Sequence, residues 1–584
     1  MNTARLPSGL GCVVWAALLT GPAASTAAPP AMVPMAQVGP QPRSVDLKGY
    51  ARVIHVAPDG EHRTISGALA SIADASPRNR YAVLVAEGTY EESRIAMKPY
   101  VDLYGGFPAG DWKNRDVYQH AAILDARKKG PVILGADHAR LDGFIVTGGE
   151  QAAHGGGVVC EGVSPTIVHN IITGNRTLKP GMKEGVGKQV AHEGAGIALL
   201  AGSRAYVANN LICDNTTEIG NGAGLAARGG VQAEILRNVF CNNIAGVKDD
   251  APFHGKAGSR SSPGGAIACA EGSSPRISFN VIVLCSAPIN NDAGGIWVEG
   301  NSMPPIRYNW IVGNTSGDDG GGIYVMGDLY YDEEGKRFDS SPDGPVAVED
   351  NIIAGNHTVR GGPGGVRVSR WGRVELRRNV IVGNDRGGAA GAEGGVICVM
   401  EDNVVAGNGA KREPPDPSFR LAGAIAARKF DERRCVTEIA TAGDLGREDL
   451  SGSVVRIGAQ WSVVKSGSPG GLTLWGRITD EAGRVEVLDL EPDGKLDGPK
   501  STYVRCIAPV FRGAGLSPFA PSGASGDPPK LRPLCGRGEG GPPRPASCGE
   551  ARCHSQPDAG RLGGSPLDCL CRDRTGDPRH GHLR

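Results

Sequence analysis

The stretch NTSGDDGGGIYVMGD (residues 314–328) places Asp318 and Asp319 side by side before three glycines. Paired carboxylates can hold calcium, share one proton, or divide the acid and base roles in cleaving a glycosidic bond. Similar residues recur at matched intervals. Asp292 precedes Asp319 by 27 residues, and Trp297 precedes Tyr324 by the same 27. Arg367 lies 43 residues beyond Tyr324, with Arg370 close behind it, and Glu299 follows Trp297. Against a chemical role stands a plainer reading, in which aspartates in glycine turns cap backbone amides and face water. The cluster exists only if some regular element brings these residues onto one surface.

That element is a repeat. Eight segments share Asn, alternating apolar residues and usually Gly-Asn. They are NIITGN at Asn170, NLICDN at Asn210, NVFCNN at Asn238, NVIVLC at Asn280, NWIVGN at Asn309, NIIAGN at Asn351, NVIVGN at Asn379 and NVVAGN at Asn403. A cluster of small residues running into an apolar, mostly β-branched one precedes each, and a ninth, AGAIA, follows the last. Aligned on Val158, Ile197, Leu225, Ile267, Ile296, Ile323, Val366, Val396 and Ile425, the steps are 39, 28, 42, 29, 27, 43, 30 and 29. A fixed period with insertions means a solenoid. The segments are too short and too rich in Val, Ile and Gly for helical pairs. A parallel β-helix of about nine to eleven coils is expected.

In such a coil, equivalent residues stack at about 4.8 Å. The asparagines then form columns whose amides bond up the stack, and Asn tolerates the left-handed backbone of a tight corner. The anchor column and the column two residues later are apolar and face the core. The residue between them points outward, so Trp297, Tyr324 and Arg367 form a ladder. Four residues before the anchor, Asp292 and Asp319 stack beside it. Two carboxylates this close repel unless calcium, a proton or a cationic group lies between them.

The chain resembles secreted bacterial right-handed parallel β-helix repeat proteins of the pectin-lyase-like superfamily. The residues carrying the resemblance are VAPDG (56–60), GTYEE (88–92), LYGGF (103–107), ILDA (123–126), LDGFIVTGG (141–149) and the repeated coils, over roughly residues 50–430. It implies an all-β, right-handed parallel β-helix with an N-terminal helical cap near residues 64–75. The superfamily includes lyases, hydrolases, esterases and adhesins. NND (290–292) and GDD (317–319) look like polygalacturonase motifs, but GPGGVRV (362–368) stands where a histidine is expected, and no RIK follows. A pectate-lyase-like site would use Asp292 and Asp319 for calcium and Arg367 or Arg370 as base, with Asp318 beside them. Trp297, Tyr324 and Glu299 would bind the substrate. With no complete catalytic motif, the first expectation is a polysaccharide-binding protein, with a uronate polymer among the candidate partners. Calcium-dependent elimination ranks second and hydrolysis third.

The 584 residues balance 62 acidic against 62 basic, which gives no electrostatic case for nucleic acid. Residues 1–28 read as a signal peptide, implying a secreted or cell-envelope protein, and 29–49 as a linker. Residues 50–150 hold the cap and first coils, and 151–430 the repeats. Residues 431–510 form a small β region, and 511–584 a disordered tail. No segment after the leader is apolar enough to span a membrane, and a single chain is expected to act alone. None of the 14 cysteines lies in a CxxC motif, so spacing suggests neither a disulfide scaffold nor a zinc site. Cys213 and Cys241 share a repeat position in neighbouring coils, where they could bridge or equally stand as stacked free thiols.

Overall fold

The computed structural model describes residues 32–178, 192–247, 263–289, 291–331, 337–340, 342–409, 419–443, 445, 449–468 and 470–488. The expected leader and C-terminal tail lie outside these, as do the acidic residues 332–334. Three long parallel sheets of twelve, ten and eleven strands make a right-handed parallel β-helix. Among the described residues, no helix is long and apolar enough to cross a membrane.

The register follows the repeat. Val158 pairs with Ile197, then Leu225, Ile267, Ile296, Ile323 and Val366 in succession, all in the ten-stranded sheet. These residues and the column two positions later are buried in one continuous core. The last two anchors depart from the expected alignment. Val366 pairs with Ala389, not Val396. Val396 is exposed and belongs to the twelve-stranded sheet, opposite Arg373. Ile425 lies in the long antiparallel strand Phe419–Asp431. The repeat breaks there because the coil shortens, and a second β element with its own alternation begins.

The asparagines form two buried ladders on the flanks of the eleven-stranded sheet. Asn309 Nδ2 donates to Asn351 Oδ1 at 3.0 Å and to the Ile277 carbonyl at 3.0 Å, while its backbone N–H donates to the same Asn351 oxygen at 2.9 Å. The second ladder runs through Asn175, Asn215 and Asn243, and resumes at Asn314 and Asn356. Cys285 interrupts it. The left-handed corners fall one residue before each ladder position, at His169, Asn209, Arg237, Phe279, Tyr308, Asp350 and Arg378 in the first. The ladder asparagines are thus not the left-handed residues. Their amides bond between coils while the preceding residue turns the chain.

The helical cap is shorter than expected, Ile65–Ala70, with Thr64 as its N-cap. Two structures cover the outward face of the eleven-stranded sheet. The first is the segment from Met32 to Val38, read from sequence as linker but packed with Met32, Met35 and Val38 buried. The second is a closed six-stranded antiparallel barrel built from residues 419–488. It sits on the flank of the rod. Trp461 of the barrel packs over Gly355 and Gly383, where any Cβ would enter the indole. Trp310 Nε1 donates to the Gly452 carbonyl at 3.0 Å across the same contact.

Candidate functional site

The ten-stranded sheet brings the sequence-derived acids and rings together. Trp297 is the Cα partner of Tyr324, and Tyr324 of Arg367. At the glycine corner beside them, Ala293 N–H donates to the Asp319 carbonyl at 2.9 Å. Asp319 N–H in turn donates to Asp292 Oδ1 at 3.2 Å. Gly362 N–H donates to Asp319 Oδ1. Arg367 Nε lies 3.3 Å from Asp319 Oδ2. A Cβ at Gly361 would collide with the carboxylates of both Asp318 and Asp319, so a glycine there leaves room for that pair.

Burial, with the negative charges of Asp319 and Asp318, pushes the Asp292 carboxyl up to about 7. Asp318 is raised in the same direction by burial and by Asp319. The group is therefore asymmetric: Asp292 holds a proton near neutrality beside the arginine-paired Asp319. Such a pair can donate a hydrogen bond from one carboxyl and accept at the other. It is a poor fit for calcium, because an arginine and a backbone N–H already engage Asp319, and the guanidinium repels a divalent cation. Arg370 has Glu393 at 3.4 Å. Burial acts to lower its pKa, but Tyr324, Asp292 and Glu393 together hold it above the ordinary value, which opposes a role as base.

The aromatic ladder points away from the interior core yet is not open. Trp297 is 4% exposed and Tyr324 2%, packed with Ala268, Ala270, Ala293 and Met326. The Trp297 Nε1–H is buried without a hydrogen-bond partner. The Tyr324 hydroxyl and Ser369 Oγ lie 2.5 Å apart. Neither ring offers a free face to a pyranose in this conformation. The antiparallel hairpin Asp328–Tyr331 with Arg337–Ser340 follows the Tyr324 strand directly.

Glu299 is half-buried. Its charge acts on Arg228, which also pairs with Glu193 and Glu271 at 2.5 Å each. Glu193 is buried and accepts from Asn221 Nδ2 at 2.8 Å. His154 Nδ1 accepts from Glu193 N–H at 3.2 Å, and burial lowers its pKa to about 4. Arg228 stands three residues beyond the anchor Leu225, a position outside the columns that the repeat singles out.

The described residues define a parallel β-helix with a six-stranded barrel against one sheet and a charged outward corner on another. No family model, curated protein or solved structure matches the chain.

Proposed function

We propose that the protein binds a polysaccharide along the outward corner of the ten-stranded sheet, at Asp292, Asp318, Asp319, Arg367 and Arg370. The supporting observation is the Asp292–Asp319 pair, one carboxyl held protonated and the other paired with Arg367. A run of donors and acceptors at the coil spacing suits the repeating hydroxyls of a polymer, and the arginines suit uronate carboxylates. The resemblance to exported pectin-lyase-like proteins points the same way and suggests a secreted or cell-envelope site of action. The chain is proposed to act as a monomer.

A second reading is acid-assisted cleavage with Asp292 as proton donor, favoured by its raised pKa. Calcium-dependent elimination has weaker support, since Arg370 is held protonated and Asp319 is already engaged. The test is migration of the full chain through gels containing polygalacturonate or a neutral glucan. Retardation by polygalacturonate that is lost in Arg367→Ala and Asp319→Asn supports the reading, and equal mobility in every gel overturns it. Ultraviolet absorbance of unsaturated ends, with and without calcium, distinguishes elimination. Reducing ends without that absorbance indicate hydrolysis.

A further inference from the structure

Cys213 and Cys241 are Cα partners on adjacent strands of the eleven-stranded sheet. Their side chains belong to its outward, covered face. Cys435 comes from the barrel, at the turn between Phe419–Asp431 and Val436–Ala442, with φ +48°. It lies 194 residues beyond Cys241. Folding brings all three sulfurs within 4.8 Å of one another, and all three residues are buried. Gly476 N–H fixes the turn by donating to the Cys435 carbonyl at 2.8 Å. Asn242 Nδ2 points at Cys435 Sγ across 3.4 Å. The neighbouring Asp214 acts electrostatically on Cys213.

Cys241 and Cys435 Sγ are 2.6 Å apart. That lies between a disulfide bond of about 2.05 Å and the about 3.8 Å that tetrahedral ligation at Zn–S of about 2.3 Å imposes. The pair distance lies nearer the disulfide value; the third sulfur within reach is what favours a metal. A disulfide uses two cysteines and leaves Cys213 pressed against it without a role. A soft divalent ion uses all three and leaves its fourth position to solvent. The surroundings suit the negative charge of such a centre. Lys465 Nζ sits 4.4 Å from the Trp475 ring and acts electrostatically on Cys241 and Cys435, and Arg477 acts on Asp214.

We propose that Cys213, Cys241 and Cys435 bind a zinc ion, with a solvent molecule in the fourth position, and that the ion ties the barrel to the flank of the β-helix. Binding releases the thiol protons to solvent, and no electrons move. The proposal stands apart from the polysaccharide reading, whose residues lie on another sheet.

The test is elemental analysis of the full chain purified without chelator, with cobalt as a spectroscopic replacement. Expected are stoichiometric zinc and, after exchange, a thiolate-to-cobalt charge-transfer band. Cys213→Ala leaves Cys241 and Cys435 in place and is expected to lose the metal, whereas a disulfide between those two would be untouched. Cys435→Ser is expected to lose the metal as well; should it fail to fold, Cys213→Ala still decides. Two results would overturn the proposal. One is a metal-free chain with three alkylatable thiols. The other is a metal-free chain lighter by two hydrogens, with Cys241 and Cys435 joined.

Discussion

The backbone N–H of Asp319 donates to the carboxylate of Asp292, one coil away, across 3.2 Å. Residues 27 apart in sequence thus form one electrostatic unit, and the charge of Asp319 is among the causes that raise Asp292 to about 7.

That shift gives a pH signature. The folded chain keeps a proton on Asp292 up to about pH 7, whereas the unfolded chain releases it near the ordinary carboxylate value. Between those limits the folded state binds more protons, so stability falls as pH rises through the window. Below it both states are protonated and the effect vanishes. Asp292→Asn is expected to flatten this slope and to stabilise the chain at about pH 8 by on the order of 1–3 kcal/mol. Urea unfolding at several pH values reads it. An unchanged slope would mean that Asp292 ionises normally.

The lateral barrel makes Gly355 indispensable. It has φ +58°, and its added Cβ would enter the Trp461 indole. Gly355→Ala is expected to cost about 2–4 kcal/mol, combining backbone strain with overpacking. Gly272 has φ +72° but nothing within 4 Å of its added Cβ. There the same substitution is expected to cost only about 1 kcal/mol. Equal losses in thermal denaturation would show that Trp461 does not seat against the ladder.

Trp297 separates a structural role from a binding one. Because it is 4% exposed, Trp297→Ala is expected to open a cavity and destabilise the chain by about 3–5 kcal/mol. Loss of polysaccharide retardation in that variant would therefore say little about stacking. A variant of native stability that had lost binding would instead make Trp297 a contact residue.

Cys285 breaks an otherwise regular column, so repairing it should help. Asn243 Nδ2 reaches Cys285 Sγ at 3.7 Å, while Cys285 N–H already donates to Asn314 Oδ1 at 3.0 Å. An asparagine here would accept from Asn243 and donate to Asn314, as the other rungs do. Cys285→Asn is expected to raise stability by about 1 kcal/mol. A fall in midpoint would show that the pocket tolerates only a sulfur.

The β-helix was legible because stacking turns sequence period into spatial neighbourhood. Seven anchors from Val158 to Val366 fall in register, and so do Asp292 and Asp319. What repeats cannot encode is what lands on the outside of the rod. Nothing in NIIAGN says that Trp461 will cover its glycine, nor does the spacing of Cys213 and Cys241 foretell Cys435. The outward direction of Trp297 and Tyr324 was readable, but their burial was not, since covering depends on tertiary contacts rather than on alternation. The left-handed corners were assigned to asparagine by propensity, whereas the structure assigns that conformation to the preceding residue and leaves Asn to bond between coils.

The charges around Asp292 make opposite predictions for two neighbours. Asp319 raises its pKa, and Arg370 lowers it. Asp318 and Tyr324 also face the group, and the Asp319 N–H donates to it. Asp319→Asn removes a repelling charge while keeping a backbone donor in place, so the Asp292 midpoint should move down toward the ordinary carboxylate range. Arg370→Ala removes an attracting charge and should move it up. Carboxyl carbon shifts of Asp292, followed by NMR across the titration and assigned by their absence in Asp292→Asn, read both directions. If acid assistance from Asp292 underlies any cleavage, the acid limb of its pH profile should move with the midpoint in each variant. Binding without cleavage should instead weaken as Asp292 deprotonates, because its donor to the sugar is lost. Midpoints that fail to separate would mean that burial alone holds the proton, with the stacked carboxylates too well screened to matter.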